Sequence, residues 1–342
     1  MVLSLKFIIM ESELRYHSTT GEWVLISPKR GKRPNDFGAP TLKRAISSKR
    51  NCPFEDPQKS GNGIPHFWFP ENKPLEKWEL QVLPNRYPAL SHRHMTCASS
   101  HKHGVYTITT GVGHHDILVT RDHYKNYRQL SDAQALDVLR AFVKRYKELV
   151  ADGCMQYVSM FQNFGPNAGA TLYHPHYQIL ALPVIPNAIG RSLSHSQEHW
   201  KEHKRCIHCD IIRQELKEKT RIVYQKDGVV AFVPFASKEP YQVNIFPIEH
   251  QSYFEESSKH LLTNVSLALK RILNSVARKL GDPDYNFYIH TSPIANKKQY
   301  KHYHWHLEIV PKSNISAGFE LGTGIEINPV FPEEAAKLLR VR

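Results

Sequence analysis

The sequence predicts an α+β protein built twice on one plan, each half an antiparallel sheet with helix cover. Three observations lead there. Gly113-His-His-Asp-Ile-Leu-Val-Thr-Arg-Asp-His123 and Tyr241-Gln-Val-Asn-Ile-Phe-Pro-Ile-Glu-His250 each read as a strand that ends at a histidine. Each is followed, in the same order, by an amphipathic helix, a β-rich strand and a histidine-bearing strand. The spacing repeats as well, with 53 residues from His123 to His176 and 54 from His250 to His304. Four elements in one order at one spacing point to duplication rather than chance.

Along the chain, the opening Met1-Val-Leu-Ser-Leu-Lys-Phe-Ile-Ile-Met10 is apolar but too short to span a membrane. It has no clear small-residue cleavage site, which argues against a signal peptide. Met10 offers an alternative start, and residues 1–13 read as an extension before a first half at 14–186. The first helix begins at Ser131, whose hydroxyl can cap the turn with Gln134 at the third position, and stops near Gly153. Its apolar face carries Leu136, Leu139, Phe142, Val143 and Tyr146 at helical spacing. The strand Tyr157-Val-Ser-Met-Phe follows, then His174-Pro-His176-Tyr-Gln-Ile-Leu.

Residues 187–220 are polar and charged, contain a Cys-x-x-Cys, and read as a connecting segment. The second half, 221–342, repeats the pattern. Its helix runs from Ser258 to Leu280, before Gly281, with Leu262, Val265, Leu269, Ile272 and Val276 on one face. Asn286-Phe-Tyr-Ile-His290 and His302-Tyr-His304-Trp-His306-Leu-Glu-Ile-Val-Pro are its closing strands.

At 342 residues, with 41% apolar and 23% charged side chains, the chain is long and apolar enough to bury a large core. The net charge of +13, with 21 histidines uncounted, attracts phosphate-bearing partners. There is no arginine-rich tract or basic low-complexity tail, so small phosphorylated ligands fit better than nucleic acid. No run is long enough for a transmembrane helix. Five cysteines make no disulfide framework, which makes the cytoplasm the default compartment.

The most informative stretch is Tyr173-His-Pro-His-Tyr-Gln-Ile. Side chains alternate along a strand, so His174, His176 and Gln178 share a face. Two imidazoles and an amide in a row suit attack on a phosphate. On spacing alone, a polar strand face or a pair of metal ligands explains the histidines equally well.

The surrounding residues resemble the galactose-1-phosphate uridylyltransferase family, a branch of the histidine-triad superfamily. Asn163-Phe-Gly-Pro-Asn-Ala-Gly169-Ala-Thr171-Leu-Tyr-His174-Pro-His176-Tyr-Gln178 follows the family pattern of Asn, Gly, Gly, Ser/Thr and His-Pro-His-x-Gln. Trp23-Val-Leu-Ile-Ser-Pro-Lys-Arg30-Gly-Lys-Arg33 resembles its nucleotide-contacting segment, and Pro84-Asn85-Arg-Tyr87 its base- and ribose-binding turn. Gly318-Phe319-Glu320-Leu-Gly-Thr-Gly324-Ile-Glu326 is similar to the segment that reaches the neighbouring subunit's sugar site.

The resemblance implies a duplicated histidine-triad-like fold, a homodimer, and nucleotidyl transfer between a nucleotide sugar and a sugar 1-phosphate. In that reading His176 attacks the α-phosphorus to form a covalent nucleotidyl-histidine. Gln178 donates its amide to the phosphoryl oxygens, and His174 stands beside them. Asn163, Gly169 and Thr171 form the phosphate loop, glycine permitting close backbone approach. Arg30 and Arg33 have the forked geometry for phosphate, although either alone reads more simply as a surface charge.

The resemblance also implies zinc, one or two ions per chain. Cys52-Pro-Phe-Glu55 stands where the family often has Cys-x-x-Cys, and would bind with His123 and His174, a carboxylate replacing one sulfur. Cys206-Ile-His-Cys209, with His250 and His304, resembles the Cys₂His₂ set of the family's ADP-glucose phosphorylase branch. Some uridylyltransferases use three histidines and a glutamate instead, resembling His290, His302 and His304, but Ser192 occupies the glutamate position here.

Within the family the resemblance points first to UDP-glucose, with transfer of UMP to a hexose 1-phosphate; the alternative is ADP-glucose, with transfer of AMP to phosphate. Glu326, near a position where a glutamine commonly contacts hexose, weakens the galactose case. Two other readings compete. One is a dinucleotide hydrolase with His304 as nucleophile, which the lack of an Asn-x-Gly loop in the second half opposes. The other is a zinc-stabilised nucleotide binder, which predicts steep salt dependence and no covalent intermediate.

Overall fold

The computed structural model describes residues 11–32, 44–92, 96–294 and 297–341. Arg33 and most of the 1–13 extension lie outside them. The chain enters through a hairpin, β1 (Glu13–His17) and β2 (Glu22–Ile26). That hairpin sits against the second half: Arg15 makes a forked pair with Glu333, Arg221 reaches the same carboxylate, and Lys238 pairs with Glu22.

The first-half strands are β3 (Phe67–Phe69), β4 (Leu80–Pro84), the small exposed hairpin β5 (Ser100–His103) and β6 (Tyr106–Thr109), and β7 (His114–Thr120). Helix α1 (Asp132–Ala151) starts as its sequence predicts. The Ser131 hydroxyl accepts from the Gln134 N–H, and the Gln134 side chain accepts from the Ser131 N–H. Strands β8 (Tyr157–Phe164) and β9 (His176–Leu182) close the half.

Residues 187–220 join the two halves. They form two helices, α2 (Asn187–His203) and α3 (Ile207–Glu218). The polar composition hid a short apolar face: Ile189 and Leu193, one turn apart, bury against Tyr157 and Tyr303.

The second half supplies β10 (Ile222–Lys226), β11 (Val229–Phe232), β12 (Val243–Pro247), α4 (Lys259–Leu280), β13 (Tyr285–His290) and β14 (His306–Pro311). Ser258 caps α4, and left-handed Gly281 ends it. The chain closes with α5 (Gly318–Thr323), β15 (Glu326–Asn328) and α6 (Pro332–Leu339). Strand β15 runs parallel to β2 and completes a three-stranded sheet.

The two half-sheets are continuous. One antiparallel sheet runs β10-β11-β12-β14-β13-β8-β9-β7-β4-β3, joined at the middle where β13 pairs with β8. Alternation then sorts the side chains by face. Tyr177, Ile179, Phe287, Leu307 and Ile309 enter the core cluster with Leu139 and Phe142 of α1 and Leu269 and Ile272 of α4. His176 and Gln178, and likewise His306 and Glu308, alternate with these core residues and so belong to the opposite face. Each fully buried Leu, Ile or Phe contributes about 1.5–3 kcal/mol, so the helix-covered face anchors the sheet.

The five cysteines make no framework, but Cys97 and Cys154 form one disulfide, 57 residues apart. Among the described residues, no helix is long and apolar enough to cross a membrane.

Candidate active site and metal clusters

His176 opens β9 almost fully buried, with the Phe54 ring 5.3 Å from its own. Its Nδ1–H donates to the His174 carbonyl at 2.9 Å. Nε2 is therefore the nitrogen that carries the free lone pair. Burial pushes the imidazole pKa below its ordinary value, which keeps the ring neutral and nucleophilic at physiological pH.

Gln178 is held by a residue that sequence reading passed over. His115 lies on β7, paired across from Leu180, and its Nδ1 accepts the Ala89 N–H at 3.1 Å. Nε2 must then be the donor, and it meets Gln178 Oε1 at 2.9 Å. With its oxygen occupied, the Gln178 amide presents its NH₂ on the other side. Asn85 sits beside the same imidazole, 3.1 Å away, and its Oδ1 accepts the N–H of exposed Tyr87. One histidine thus joins the Asn85–Ala89 turn to Gln178. The signal was present in Gly113-His-His-Asp, where His115 falls on the alternating position facing Gln178.

The loop before β9 is shaped from the second half. Gly165 has φ +85°, and a Cβ there would lie 2.0 Å from Asp284 Oδ1. Asp284 instead accepts from the Asn167 backbone N–H and side-chain amide, both at 2.7 Å, and pairs with Arg44 at 3.0 Å. Asn163 accepts from Asn286 at 2.8 Å, and Gly169 ends the 3-10 turn Pro166–Ala168 in the left-handed conformation. Thr171, Gly165, Ala170 and Pro175 line a cavity of about 620 Å³ with Arg44 and Arg128. The structure therefore places Asn163 at the end of β8 and Gly169 and Thr171 on the loop that leads to the His-Pro-His stretch.

Other predicted residues lie elsewhere. Arg30 is exposed on the 3-10 turn Pro28–Lys32, whose Gly31 faces Pro329. Phe319 is exposed on α5, while Glu320 is buried there and accepts the Ala317 N–H.

The metal candidates fall into two equivalent clusters. Cys52, Glu55, His123 and His174 offer ligand atoms within 4.8 Å of one another, as do Cys206, Cys209, His250 and His304. In each, imidazoles are oriented by backbone carbonyls. His174 Nε2 donates to Thr120 O at 2.7 Å, His123 Nε2 to Ser47 O at 3.0 Å, and His250 Nε2 to Lys301 O at 2.8 Å. That leaves Nδ1 facing the cluster, an arrangement found around histidine ligands. His174 Nδ1 lies 3.5 Å from Cys52 Sγ, and His250 Nδ1 lies 3.3 Å from Cys209 Sγ. The Cys206 thiol's hydrogen bond, aided by His250 and His304, holds Cys209 well below the thiol range. These donor sets fit zinc.

The clusters also correct the repeat register. His304 stands with Cys206 and Cys209 as His174 stands with Cys52, so the counterpart of His176 is His306, not His304. His306 Nδ1 donates to the His304 carbonyl at 3.2 Å, as His176 does to His174. The counterpart of Gln178 is Glu308. Spacing misled because the β13–β14 connection, residues 291–305, is longer than the β8–β9 connection, residues 165–175.

The histidine-rich alternative is corrected likewise: His290, His306 and Glu308 cluster, without His302 or His304. Burial alone would raise the Glu308 carboxyl, but His290 and Tyr288 hold it at about 2. These residues line a cavity of about 630 Å³, closed on one side by Tyr16 and His17 of the entry hairpin.

Comparison with known proteins agrees with this architecture. Residues 3–186 match the galactose-1-phosphate uridyl transferase N-terminal domain family, and residues 192–341 match its C-terminal domain family. An ADP-glucose phosphorylase from Arabidopsis thaliana is 34% identical, covering 96% of this chain and 92% of its own length. A galactose-1-phosphate uridylyltransferase from Thermotoga maritima is 29% identical, covering 96% and 98%. The solved structure of the Arabidopsis enzyme with bound ADP-glucose superposes with a TM-score of 0.83, at 32% identity over 97% of this chain and 99% of that one. A solved uridylyltransferase structure superposes at 0.72, with 29% identity over 96% and 97%. The two matching domains and these full-length relatives place this chain in the galactose-1-phosphate uridylyltransferase family, a family of transferase enzymes.

Proposed function

We propose that this chain transfers a nucleotidyl group from a nucleotide sugar to a phosphate acceptor through covalent attachment to His176. The observation that carries the reading is the buried His176, whose Nδ1 is committed to the His174 carbonyl and whose Nε2 lone pair is available. In the first step that lone pair forms a bond to the α-phosphorus. The bond from phosphorus to the bridging oxygen breaks, and sugar 1-phosphate leaves with the electron pair. In the second step an acceptor phosphate oxygen attacks, the N–P bond breaks, and the pair returns to Nε2.

A phosphate leaving group needs no general acid, which suits an amide at position 178. The Gln178 NH₂, oriented by His115, is a fixed donor for the charged phosphoryl oxygens. The Gly165–Thr171 loop and its cavity suit the phosphates. Zinc fits both cysteine–histidine clusters, where it would cross-link the loops at the ends of β7 and β9 and of β12 and β14. A second copy of the chain over α5, with its exposed Phe319 and Leu321, agrees with a homodimer.

For the donor we assign ADP-glucose, with AMP passing to inorganic phosphate. Greater likeness to the Arabidopsis phosphorylase than to the Thermotoga uridylyltransferase supports this. So does the complete Cys₂His₂ set. Uridylyl transfer between glucose and galactose phosphates is the second reading, favoured by the two family matches.

The test incubates the protein with ADP-glucose or UDP-glucose labelled at the α-phosphate. Acid-labile label on the wild type, lost in His176→Ala but kept in His304→Ala, is expected. ADP-glucose should label it and then yield ADP when phosphate is added. Labelling by UDP-glucose alone, followed by transfer to galactose 1-phosphate, overturns the donor assignment. No label from either sugar, or label that survives His176→Ala, overturns the mechanism.

A further inference from the structure

A further donor cluster lies outside the three just described and has no part in the proposed reaction. His92, Asp152 and Cys154 offer ligand atoms within 4.8 Å of one another. They come from separate places in the first half. His92 follows the turn that begins at Asn85, Asp152 is the C-cap of α1, and Cys154 lies two residues beyond it. Asp152 Oδ2 accepts from His92 Nδ1 at 2.9 Å and from His114 Nε2 at 2.7 Å. The sulfur of Cys154 is bonded to Cys97.

Two buried polar atoms of this group, Asp152 Oδ1 and His92 Nε2, have no hydrogen-bond partner among the described residues. Leaving such atoms unmatched is unfavourable, so the arrangement favours a further ligand. The available donors are two sulfurs, an imidazole and a carboxylate. That set matches the borderline-soft preference of zinc. His114, on the first residue of β7, already supports the carboxylate from behind.

We propose that this cluster is a redox-gated zinc site: reduction of the Cys97–Cys154 bond frees two sulfurs, which with His92 and Asp152 hold one Zn²⁺. The bond breaks by two-electron reduction. With a trialkylphosphine, phosphorus is oxidised to the phosphine oxide by taking the oxygen of one water, and that water's two hydrogens pass to the sulfurs. Zinc then displaces the two thiol protons, so metal uptake releases acid. Hydrogen peroxide reverses this: each thiolate gives up one electron as the S–S bond re-forms, the peroxide O–O bond breaks, two protons are taken up to make two waters, and Zn²⁺ leaves. The cluster thereby alternates between two cross-links of the same strap, from the Asn85 turn to the end of α1.

The full-length chain, equilibrated with Zn²⁺ and freed of unbound ion by gel filtration, is assayed for zinc per chain with and without phosphine. One additional equivalent is expected in the reduced wild type. Neither the Cys97→Ser/Cys154→Ser variant nor Asp152→Ala should take it up. Asp152→Ala keeps both cysteines, so it carries the test if the serine variant does not fold. With Co²⁺ as probe, sulfur-to-cobalt charge-transfer absorption should grow on reduction of the wild type by more than in either variant. Equal zinc content in oxidised and reduced wild type, or the same gain in Asp152→Ala, overturns the proposal.

Discussion

His115 makes a sharp prediction because it touches Gln178 but has no chemistry of its own in the reaction. In His115→Ala the hydrogen bond to Gln178 Oε1 and the acceptor of the Ala89 N–H are both lost. A neutral hydrogen bond is worth about 1 kcal/mol net, and here it also selects which end of the amide faces the phosphoryl group. A fixed donor of this kind stabilises a charged transition state by about 2.7–4 kcal/mol. Releasing the amide forfeits part of that, about 1.5 kcal/mol, or roughly tenfold in kcat. The slackened Asn85–Ala89 turn adds a rise of a few-fold in KM.

The assay is steady-state nucleotidyl transfer by the wild type, His115→Ala, Gln178→Ala and the double variant. If His115 works through Gln178, the double variant has the same kcat as Gln178→Ala. Multiplied losses, or a His115→Ala enzyme with unchanged kcat, would refute the positioning argument.

Other consequences are equally direct. Gly165→Ala forces a Cβ against Asp284 in a backbone region that only glycine tolerates, and should cost about 3 kcal/mol, read as a lower urea midpoint. An unchanged midpoint would contradict the loop geometry. Burial raises the Glu239 carboxyl from 4.5 to about 7, so the folded chain holds a proton there that the unfolded chain releases. Its stabilising contribution is complete below the unfolded value and is lost as pH rises through about 7, by about 3 kcal/mol in all. Glu239→Gln should flatten the pH dependence of denaturant stability across that window, and an unaltered slope would count against it. A chelator should lower the thermal midpoint of the wild type by more than that of Cys206→Ser/Cys209→Ser. Equal shifts would argue against a metal in the second half.

Much of the architecture was legible because it rests on local patterns. The Ser131 capping box, the Gly281 stop and the apolar faces of α1 and α4 are periodic signals within one segment. The order of elements in the two halves, repeated in sequence, became two joined half-sheets. The helices of 187–220 were not legible, since two apolar residues in a polar stretch gain meaning only when Tyr157 and Tyr303 lie beneath them. The Cys97–Cys154 pairing failed for a similar reason. Cysteine count constrains frameworks, but a single bridge depends on which segments meet.

The sequence by itself placed His176 and Gln178 on one strand face and a loop with two glycines before them, and the family resemblance named histidine partners for Cys52 and Cys206–Cys209; His174 lies just before the strand. The shared face follows from the two-residue period of a strand. Tertiary structure alone decided that His115 orients Gln178, that Asp284 of the second half shapes the first half's loop, and that His306 rather than His304 is the twin of His176. Each is a contact between residues far apart in the chain, set by strand pairing and loop length. Sequence spacing cannot count residues that a loop absorbs.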